Sequence, residues 1–361
     1  MTQELKPIDQ QVVAVVGASS GIGRQAALQF AKRGARVVVS ARSEPGLASL
    51  VDEIKRFGGV ATAIVADVTV FDQVKAIADK AVEEYGRLDT WVHTPAVGLF
   101  ATVDNIKPEE FQRVIDINLL GQVYGAMAAL PYLKREGRGA LIHISSMLGR
   151  RSLPLQSPYC TAKHALEGFL ESLRVELQHE KIPISVTNVM PASINTPFYN
   201  NALTKLGVKP SAPPPYYEPS LVADAILYVA SHPTRDFIVG DAARAIDLLQ
   251  RISPSLVDYL LLLVSFQLQR TNEPKSEDAP NNLYEPIPAH DKVKGDFSNL
   301  VIPSFFDWLD MNPLFKWSAI ASSVWLALIA SQSLYFWSDV ESAIARSVEL
   351  MLLAAQGFPN K

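Results

Sequence analysis

The sequence predicts an α/β protein of the doubly wound type, in which a parallel sheet carries helices on both faces. Short apolar segments alternate with longer helix-like segments through the first half of the chain. The first of them, 12–16, is entirely apolar, which is typical of a strand buried on both faces of a parallel sheet. A glycine-rich turn follows it directly. Strict alternation of strand and helix predicts this fold and places ligands beyond the carboxyl ends of the strands.

The individual elements follow from the same pattern. Strands are expected at 12–16, 37–39, 61–66, 90–93, 141–144 and 184–189, and helices at 24–33, 70–85, 118–135 and 157–180. Gly34 is expected to close the first helix, because glycine readily adopts the left-handed conformation found after helix ends. The segment 211–219 contains four prolines and is predicted to be a loop, which either folds over a bound substrate or is a surface excursion without a role.

Three regions are expected: an N-terminal lead over 1–10, a Rossmann-type domain over 11–250 and a mostly helical C-terminal extension over 251–361. An apolar helix is predicted at 255–269. It is too short to span a bilayer, and it is a candidate lining for a lipophilic substrate entrance. The polar, proline-containing segment 270–299 is predicted to be an extended excursion.

The segment 317–338 is a candidate membrane anchor. It has no charged side chain, carries aromatic residues at both ends and is long enough to cross a hydrocarbon core of about 30 Å. It also contains six serines and Gln332, so a buried or dimer-forming helix is the alternative. Membrane association through this segment is therefore one of two open interpretations.

Composition limits the class of protein and its partners. The net charge of −4 gives no indication of a nucleic-acid partner, and no metal site is predicted. Cys160 is the single cysteine, so a disulfide framework within the chain is excluded and a reducing compartment is favoured. Residues 1–11 are polar and lack the apolar core of a secretory signal. We expect a protein that is not secreted and lies on the cytoplasmic side, with or without the C-terminal anchor.

The glycine-rich turn after the first strand is a candidate dinucleotide site. Glycines at this point allow a tight turn and a close approach of the backbone to a pyrophosphate, which the helix N-terminus attracts. The spacing is G-x-x-x-G-x-G, which is weak evidence alone and stronger after a buried strand. The turn residues expected to contact the cofactor are Gly17, Ser19, Ser20, Gly21, Ile22 and Gly23.

The end of the second strand indicates which dinucleotide binds. An NAD site has a carboxylate near this point for the ribose 2′-hydroxyl, whereas this chain has Arg42 and no acid before Glu44. Because Arg42 can neutralise a 2′-phosphate, NADP(H) is favoured over NAD(H). The alternative is that Arg42 is a solvated loop charge. Asp67 and Val68, at the end of the third strand, are placed to contact the adenine.

Tyr159 and Lys163 are a candidate proton-transfer pair. They are four residues apart and therefore share one face of a helix. Free tyrosine has a pKa of about 10, and a nearby ammonium group lowers it by favouring the phenolate. Ser146, on the loop after the 141–144 strand, can hydrogen-bond a substrate carbonyl and hold it against the tyrosine. These three residues are the predicted catalytic set.

Taken together, these motifs resemble the short-chain dehydrogenase/reductase family over roughly residues 10–250. Its motif T-G-x-x-x-G-I-G matches 16–23, with valine in place of threonine. The catalytic tyrosine, lysine and serine of the family fall on Tyr159, Lys163 and Ser146. Its asparagine, which holds a water on the proton relay, falls on Asn118. The resemblance also implies a homo-oligomer formed through the helices at 118–135 and 157–180.

Two further family motifs are altered in this chain. The P-G-x-x-x-T motif corresponds to 191–196, with Ala192 for glycine, so Pro191 and Thr196 are expected at the cofactor. The N-N-A-G motif aligns with 93–96, which places Ala96 at the cofactor and replaces a backbone donor by Pro95. The resemblance implies an NADP(H)-dependent oxidoreductase that interconverts a carbonyl and an alcohol. A non-catalytic dinucleotide-binding sensor or scaffold is the alternative, and the altered 93–96 segment is its main support.

Overall fold

The computed structural model describes residues 4–318, 322–323 and 345–346. The chain divides into two compact units, Met1–Asp307 and Trp308–Lys361. The strands are β1 Val12–Val16, β2 Arg36–Ala41, β3 Val60–Val65, β4 Thr90–His93, β5 Leu99–Phe100, β6 Gly139–Ile144, β7 Ile184–Pro191, β8 Leu203–Thr204, β9 Val208–Pro210, β10 Asp236–Val239 and β11 Arg270–Pro274. The α-helices are α1 Gly21–Lys32, α2 Glu44–Arg56, α3 Phe71–Tyr85, α4 Pro108–Ile115, α5 Gly121–Arg135, α6 Ser157–His179, α7 Phe198–Asn201, α8 Pro219–Val229, α9 Asp241–Ile252, α10 Pro254–Leu268 and α11 Phe305–Asp310.

A seven-stranded parallel sheet forms the centre of the first unit and confirms the predicted fold class. Its strand order is β10-β7-β6-β4-β1-β2-β3. The chain first adds β2 and β3 on one side of β1. It then returns and adds β4, β6, β7 and β10 on the other side. The order therefore reverses between β1 and β4, where Val16 lies beside His93 at the carboxyl edge. In sheets of this type a ligand crevice opens at the point of reversal.

The buried position of β1 follows from its composition. All five of its residues are buried because helices cover both faces of the sheet.

The six predicted strands are all present. The seventh, β10, was not predicted, because it is only four residues long and begins with the charged residue Asp236. The first helix begins at Gly21, earlier than the predicted 24, because the glycine turn itself forms the first helical turn.

The predicted helix at 118–135 is part of a longer helical stretch. A π-helical turn at Asp116–Leu120 joins α4 to α5. The combined stretch Pro108–Arg135 is the one helix in the described part of the chain that is long and apolar enough to cross a membrane. Half of its apolar window is buried within the protein, as expected for a helix that flanks the sheet. The candidate anchor at 317–338 falls outside the described residues except for 317–318 and 322–323.

The segment after α9 folds back onto the sheet domain. The predicted apolar helix is present as α10, and β11 pairs antiparallel with β9. Further along, Tyr216 donates its backbone N–H to Leu300 and accepts one from Ile302. The compact unit therefore extends to Asp307, beyond the boundary expected at 250, because backbone hydrogen bonds tie the excursion to the sheet domain.

Candidate active site

A cavity of about 550 Å³ lies along the carboxyl edge of the sheet. It runs from the ends of β2 and β3, past the glycine turn after β1, to the ends of β4 and β6 and the start of α6. Fifteen of the sixteen predicted site residues line it, namely Gly17, Ser19, Ser20, Gly21, Ile22, Gly23, Arg42, Asp67, Val68, Ala96, Ser146, Tyr159, Lys163, Pro191 and Thr196. The exception is Asn118, which lies behind the wall.

The glycine turn is fixed by close contacts that exclude side chains. Gly17 has a φ of +80°, and a Cβ there would lie 2.5 Å from the Thr94 hydroxyl oxygen. A Cβ on Gly23 would collide with the carbonyl oxygen of Gly17 and would lie 2.6 Å from the same hydroxyl. The 93–96 segment, although altered, therefore packs directly on the turn. This packing leaves the N-terminus of α1 facing the cavity.

Tyr159 and Lys163 project from the first turns of α6. The ammonium nitrogen of Lys163 donates to the carbonyl oxygen of Ile144 at 2.7 Å and lies 5.5 Å from the centroid of the Tyr159 ring. The Tyr159 hydroxyl hydrogen-bonds the side chain of Ser146, whose Oγ also accepts the N–H of Leu148. The three predicted catalytic side chains therefore meet at one end of the cavity.

Burial sets the electrostatics of this group. It raises the pKa of Tyr159, and the hydrogen bond from Ser146 only partly opposes this effect. It also lowers the pKa of Lys163 from 10.5 to about 7. We expected the lysine to lower the pKa of the tyrosine, but without a cofactor the loss of hydration is the larger effect. A positive charge added near this pair would favour the phenolate form of Tyr159.

Asn118 is completely buried in the π-helical turn. Its Oδ1 accepts the N–H of Val97 and its Nδ2 donates to the Val97 carbonyl, both at 2.9 Å. The amide thus holds the loop after β4 in place, directly behind the wall of the cavity. The expectation that Asn118 holds a water stays a prediction.

Arg42 and Asp67 both lie at the expected strand ends, and both have partners within the protein. The Arg42 guanidinium donates to the carbonyl oxygens of Asn282 and Tyr284, at 2.7 and 2.6 Å. Asp67 forms an ion pair with Arg113 at 3.1 Å. The partners of Arg42 come from the C-terminal excursion, which the sequence did not connect with this site.

Two parts of the cavity wall come from the C-terminal part of the chain, and sequence reasoning missed the first of them. One is the excursion after β11, which contributes Asn282, Pro286, Ile287 and Asp291. The other is the apolar wall beyond Tyr159, which α9 and α10 supply with Ile246, Leu249, Val257, Leu260, Leu261, Val264 and Leu268. The apolar character of α10 predicted it as a lining, and it does line the cavity, whereas the contribution of α9 was not predicted. The excursion has only a weak signal in the sequence, the apolar residue Leu283 within a polar segment. In the structure this side chain is completely buried.

The parallel sheet with a glycine turn at its carboxyl edge has the architecture of a dinucleotide-binding fold. The model of the short chain dehydrogenase family matches residues 11–206, more than half of the chain. The chain therefore belongs to the short-chain dehydrogenase family. It is 39% identical over 284 residues to the uncharacterized oxidoreductase YxnA of Bacillus subtilis, a match that covers 78% of this chain and 80% of that protein.

A further relative is similar in sequence, and two solved structures are similar in fold. The 3-oxoacyl-[acyl-carrier-protein] reductase FabG of Thermotoga maritima is 30% identical over 227 residues, covering 62% of this chain and 92% of that protein. A short chain dehydrogenase/reductase from Burkholderia phymatum in complex with NAD superposes with a TM-score of 0.63 at 21% identity, over 70% of this chain and 97% of that one. An alcohol dehydrogenase from Thermococcus sibiricus complexed with 5-hydroxy-NADP superposes with a TM-score of 0.56 at 24% identity, over 63% of this chain and 95% of that one.

Proposed function

We propose that this protein is an NADP(H)-dependent oxidoreductase that interconverts a carbonyl and an alcohol, with Tyr159 as the general acid and base. The observation that carries the proposal is the meeting of Tyr159, Ser146 and Lys163 at one end of a cavity that also contains the glycine turn. A binding module needs the glycine turn but has no use for the three proton-transfer groups.

The residues fit a dinucleotide. The glycine turn directs the N-terminus of α1 to the cavity, where backbone N–H groups and the helix dipole favour a pyrophosphate. Arg42 and Val68 are proposed to hold the adenosine end, and Thr196, Pro191 and Ala96 the nicotinamide end. When bound, the nicotinamide supplies or accepts the hydride.

The side chains of this chain supply the remaining steps. Tyr159 gives its hydroxyl proton to the carbonyl oxygen during reduction and takes one back during oxidation. Ser146 donates a hydrogen bond to the same oxygen and holds it against the tyrosine. Lys163 holds the nicotinamide ribose and, when charged, favours the phenolate of Tyr159. Asn118 is proposed to hold the water that connects Lys163 to solvent, in addition to bracing Val97.

The preference for NADP(H) rests on Arg42. Its present partners are two neutral carbonyl oxygens, and a phosphate offers stronger, charge-assisted hydrogen bonds to the same donors. The cavity wall beyond Tyr159 is built from leucine, isoleucine and valine side chains of α9 and α10. We therefore propose a substrate with a sizeable apolar part.

Two expectations about assembly also remain proposals. Helices α5 and α6 expose the apolar side chains of Met127 and Val175, at 51% and 63% of their surface, which is compatible with a homo-oligomer formed through them. Membrane association through 317–338, on the cytoplasmic side, is proposed from the sequence of that segment alone.

The proposal is tested by replacing Tyr159 with phenylalanine. NADPH oxidation is measured with a panel of apolar aldehydes, ketones and 3-ketoacyl thioesters. Tyr159→Phe should lose most of the turnover and retain NADPH affinity. Tyr228→Phe, on α8 and stacked on His232, is the matched control and should keep full activity. Near-normal turnover by Tyr159→Phe would refute the mechanism. Tight NADPH binding without turnover of any compound would favour the sensor or scaffold.

A further inference from the structure

Residues 281–297, which we call the strap, cross the carboxyl edge of the sheet at the glycine turn. The carbonyl oxygen of Lys292 accepts the backbone N–H of Gly21, the first residue of α1, at 3.0 Å. Further along, Gly295 donates its N–H to the carbonyl oxygen of Asn195 at 3.1 Å. The strap therefore uses a backbone donor at the helix N-terminus that is proposed to receive the pyrophosphate.

The other end of the strap is held at the proposed adenosine end of the cavity. Leu283 is completely buried, and its carbonyl oxygen accepts a hydrogen bond from Arg113 at 3.1 Å. The carbonyl oxygens on either side of it, those of Asn282 and Tyr284, bind the guanidinium of Arg42. One buried side chain and three charge-assisted hydrogen bonds fix this end of the strap.

Between these two attachments, Asp291 places its carboxylate at the N-terminus of α2. Its Oδ2 accepts the hydroxyl of Ser43, the residue that caps α2, at 2.5 Å. The Ser19 hydroxyl and the positive charge of Arg24 also stabilise it. Gly46 makes the space, because a Cβ there would lie 2.5 Å from the carboxylate. Burial nevertheless raises the pKa of Asp291, so the negative charge is held against a desolvation cost.

These groups are those that an NADP(H) 2′-phosphate would require. The proposed function already assigns Arg42 to that phosphate, and Ser43 is the next residue in the chain. The Ser43 and Ser19 hydroxyls, the N-terminus of α2 and the nearby charge of Arg24 are chemically suited to an anion. A carboxylate and a phosphate of about −1.5 to −2 charge cannot share this space without strong repulsion.

We propose that Asp291 is an internal competitor of the cofactor's 2′-phosphate, and that the strap must release Ser43 and Arg42 before NADP(H) binds. The inference rests on the proposed function, because it assumes that NADP(H) uses this cavity. NADH lacks the phosphate and has no group that replaces the Asp291 carboxylate. The strap therefore lowers the affinity for NADPH and leaves that for NADH unchanged, so it opposes the preference that Arg42 gives.

The first test measures NADPH and NADH affinity in the full-length protein and in Asp291→Asn. Asparagine keeps the size of the side chain but removes the charge, so closure of the strap is weakened. If NADPH must open the strap, its apparent affinity rises as the closed population falls. Loss of one charge-assisted hydrogen bond predicts a gain of roughly tenfold for NADPH and little change for NADH. Asp278→Asn, an exposed carboxylate of the same excursion, is the matched control.

The second test uses the unmodified protein and is independent of any folding defect. Hydrogen exchange of the strap amides, including that of Gly295, is followed by mass spectrometry. NADPH should accelerate exchange over 281–297, whereas NADH should not. The two tests report different consequences of the same displacement.

Four outcomes would overturn the proposal. Weaker NADH binding by Asp291→Asn would show that Asp291 instead receives the ribose 2′-hydroxyl of NAD(H). Slower exchange of the strap with NADPH would show a lid that closes over bound cofactor. Failure of both nucleotides to bind any variant would refute the proposed function itself, and the competitor with it. Normal NADPH binding that is insensitive to Asp291→Asn would refute the competitor alone.

Discussion

The ammonium nitrogen of Lys163 lies 5.5 Å from the centroid of the Tyr159 ring, one helical turn away on α6, and donates to the carbonyl oxygen of Ile144. This second contact comes from β6 and fixes the lysine against the sheet. The side chain is completely buried, so its charge loses hydration that one carbonyl group only partly replaces. The cofactor-free site therefore holds a lysine that changes charge near neutral pH.

The first prediction concerns the pH dependence of stability. The pKa of Lys163 is about 7 in the folded protein and 10.5 in the reference state. Between these values the unfolded chain binds more protons, so this group makes stability rise with pH. Below about pH 7 both states are protonated and the full cost of burying the charge remains. Lys163→Met should therefore gain Tm relative to the unmodified protein at pH 6, keep a smaller gain at pH 9 and lose that advantage only above about pH 10.5.

This difference is measured by thermal unfolding of cofactor-free protein at several pH values. Lys55→Met, an exposed lysine on α2, is the control, and its curve should run parallel to that of the unmodified protein. Parallel curves for Lys163→Met would show that Lys163 keeps one charge state throughout the range.

The second prediction concerns Arg42. Arg42→Gln removes the proposed partner of the 2′-phosphate and should weaken NADPH binding by about 10- to 100-fold, with a much smaller effect on NADH. Titration of each nucleotide by fluorescence gives the two affinities. Arg36→Gln, at the exposed opposite end of the same strand, should change neither. Equal losses for both nucleotides would make Arg42 an anchor of the strap without a role in selection.

The third prediction uses two helical glycines. Gly23→Ala places a methyl group against the Gly17 carbonyl and the Thr94 hydroxyl, so the glycine turn must shift. We expect a loss of about 1 to 3 kcal/mol in the free energy of unfolding and a large loss of dinucleotide affinity. Gly168→Ala, on α6 with no atom within 4 Å of the new methyl group, should stabilise the protein by up to about 1 kcal/mol. Normal dinucleotide affinity in Gly23→Ala would remove the turn from the proposed site.

The parts of the site that could be predicted are those encoded by local sequence. The unbroken apolar run of β1, the glycines after it and the four-residue spacing of Tyr159 and Lys163 each specify their own geometry. The parallel sheet then brings these segments together, because the carboxyl ends of its strands share one edge.

The strap could not be predicted because its contacts join residues far apart in sequence. Asp291 and Ser43 are separated by 248 positions, and the polar segment around Leu283 has no periodicity that indicates a buried side. The sequence directly after β2 has no acid before Glu44, and this local feature is the basis for the predicted NADP(H) preference. In the structure the C-terminal excursion brings the Asp291 carboxylate to Ser43, beside the end of β2.

The most direct test of the central claim is isotope transfer from the cofactor to a product. NADPH carrying deuterium at C4, in each stereochemical form, is incubated with full-length protein and an apolar carbonyl compound, and the product is analysed by mass spectrometry. We predict an alcohol one mass unit heavier, with deuterium on the former carbonyl carbon from one form only, and almost no product with Tyr159→Phe. Tight binding of NADPH without deuterated alcohol from any carbonyl compound would contradict the account and identify a dinucleotide-binding protein that performs no hydride transfer.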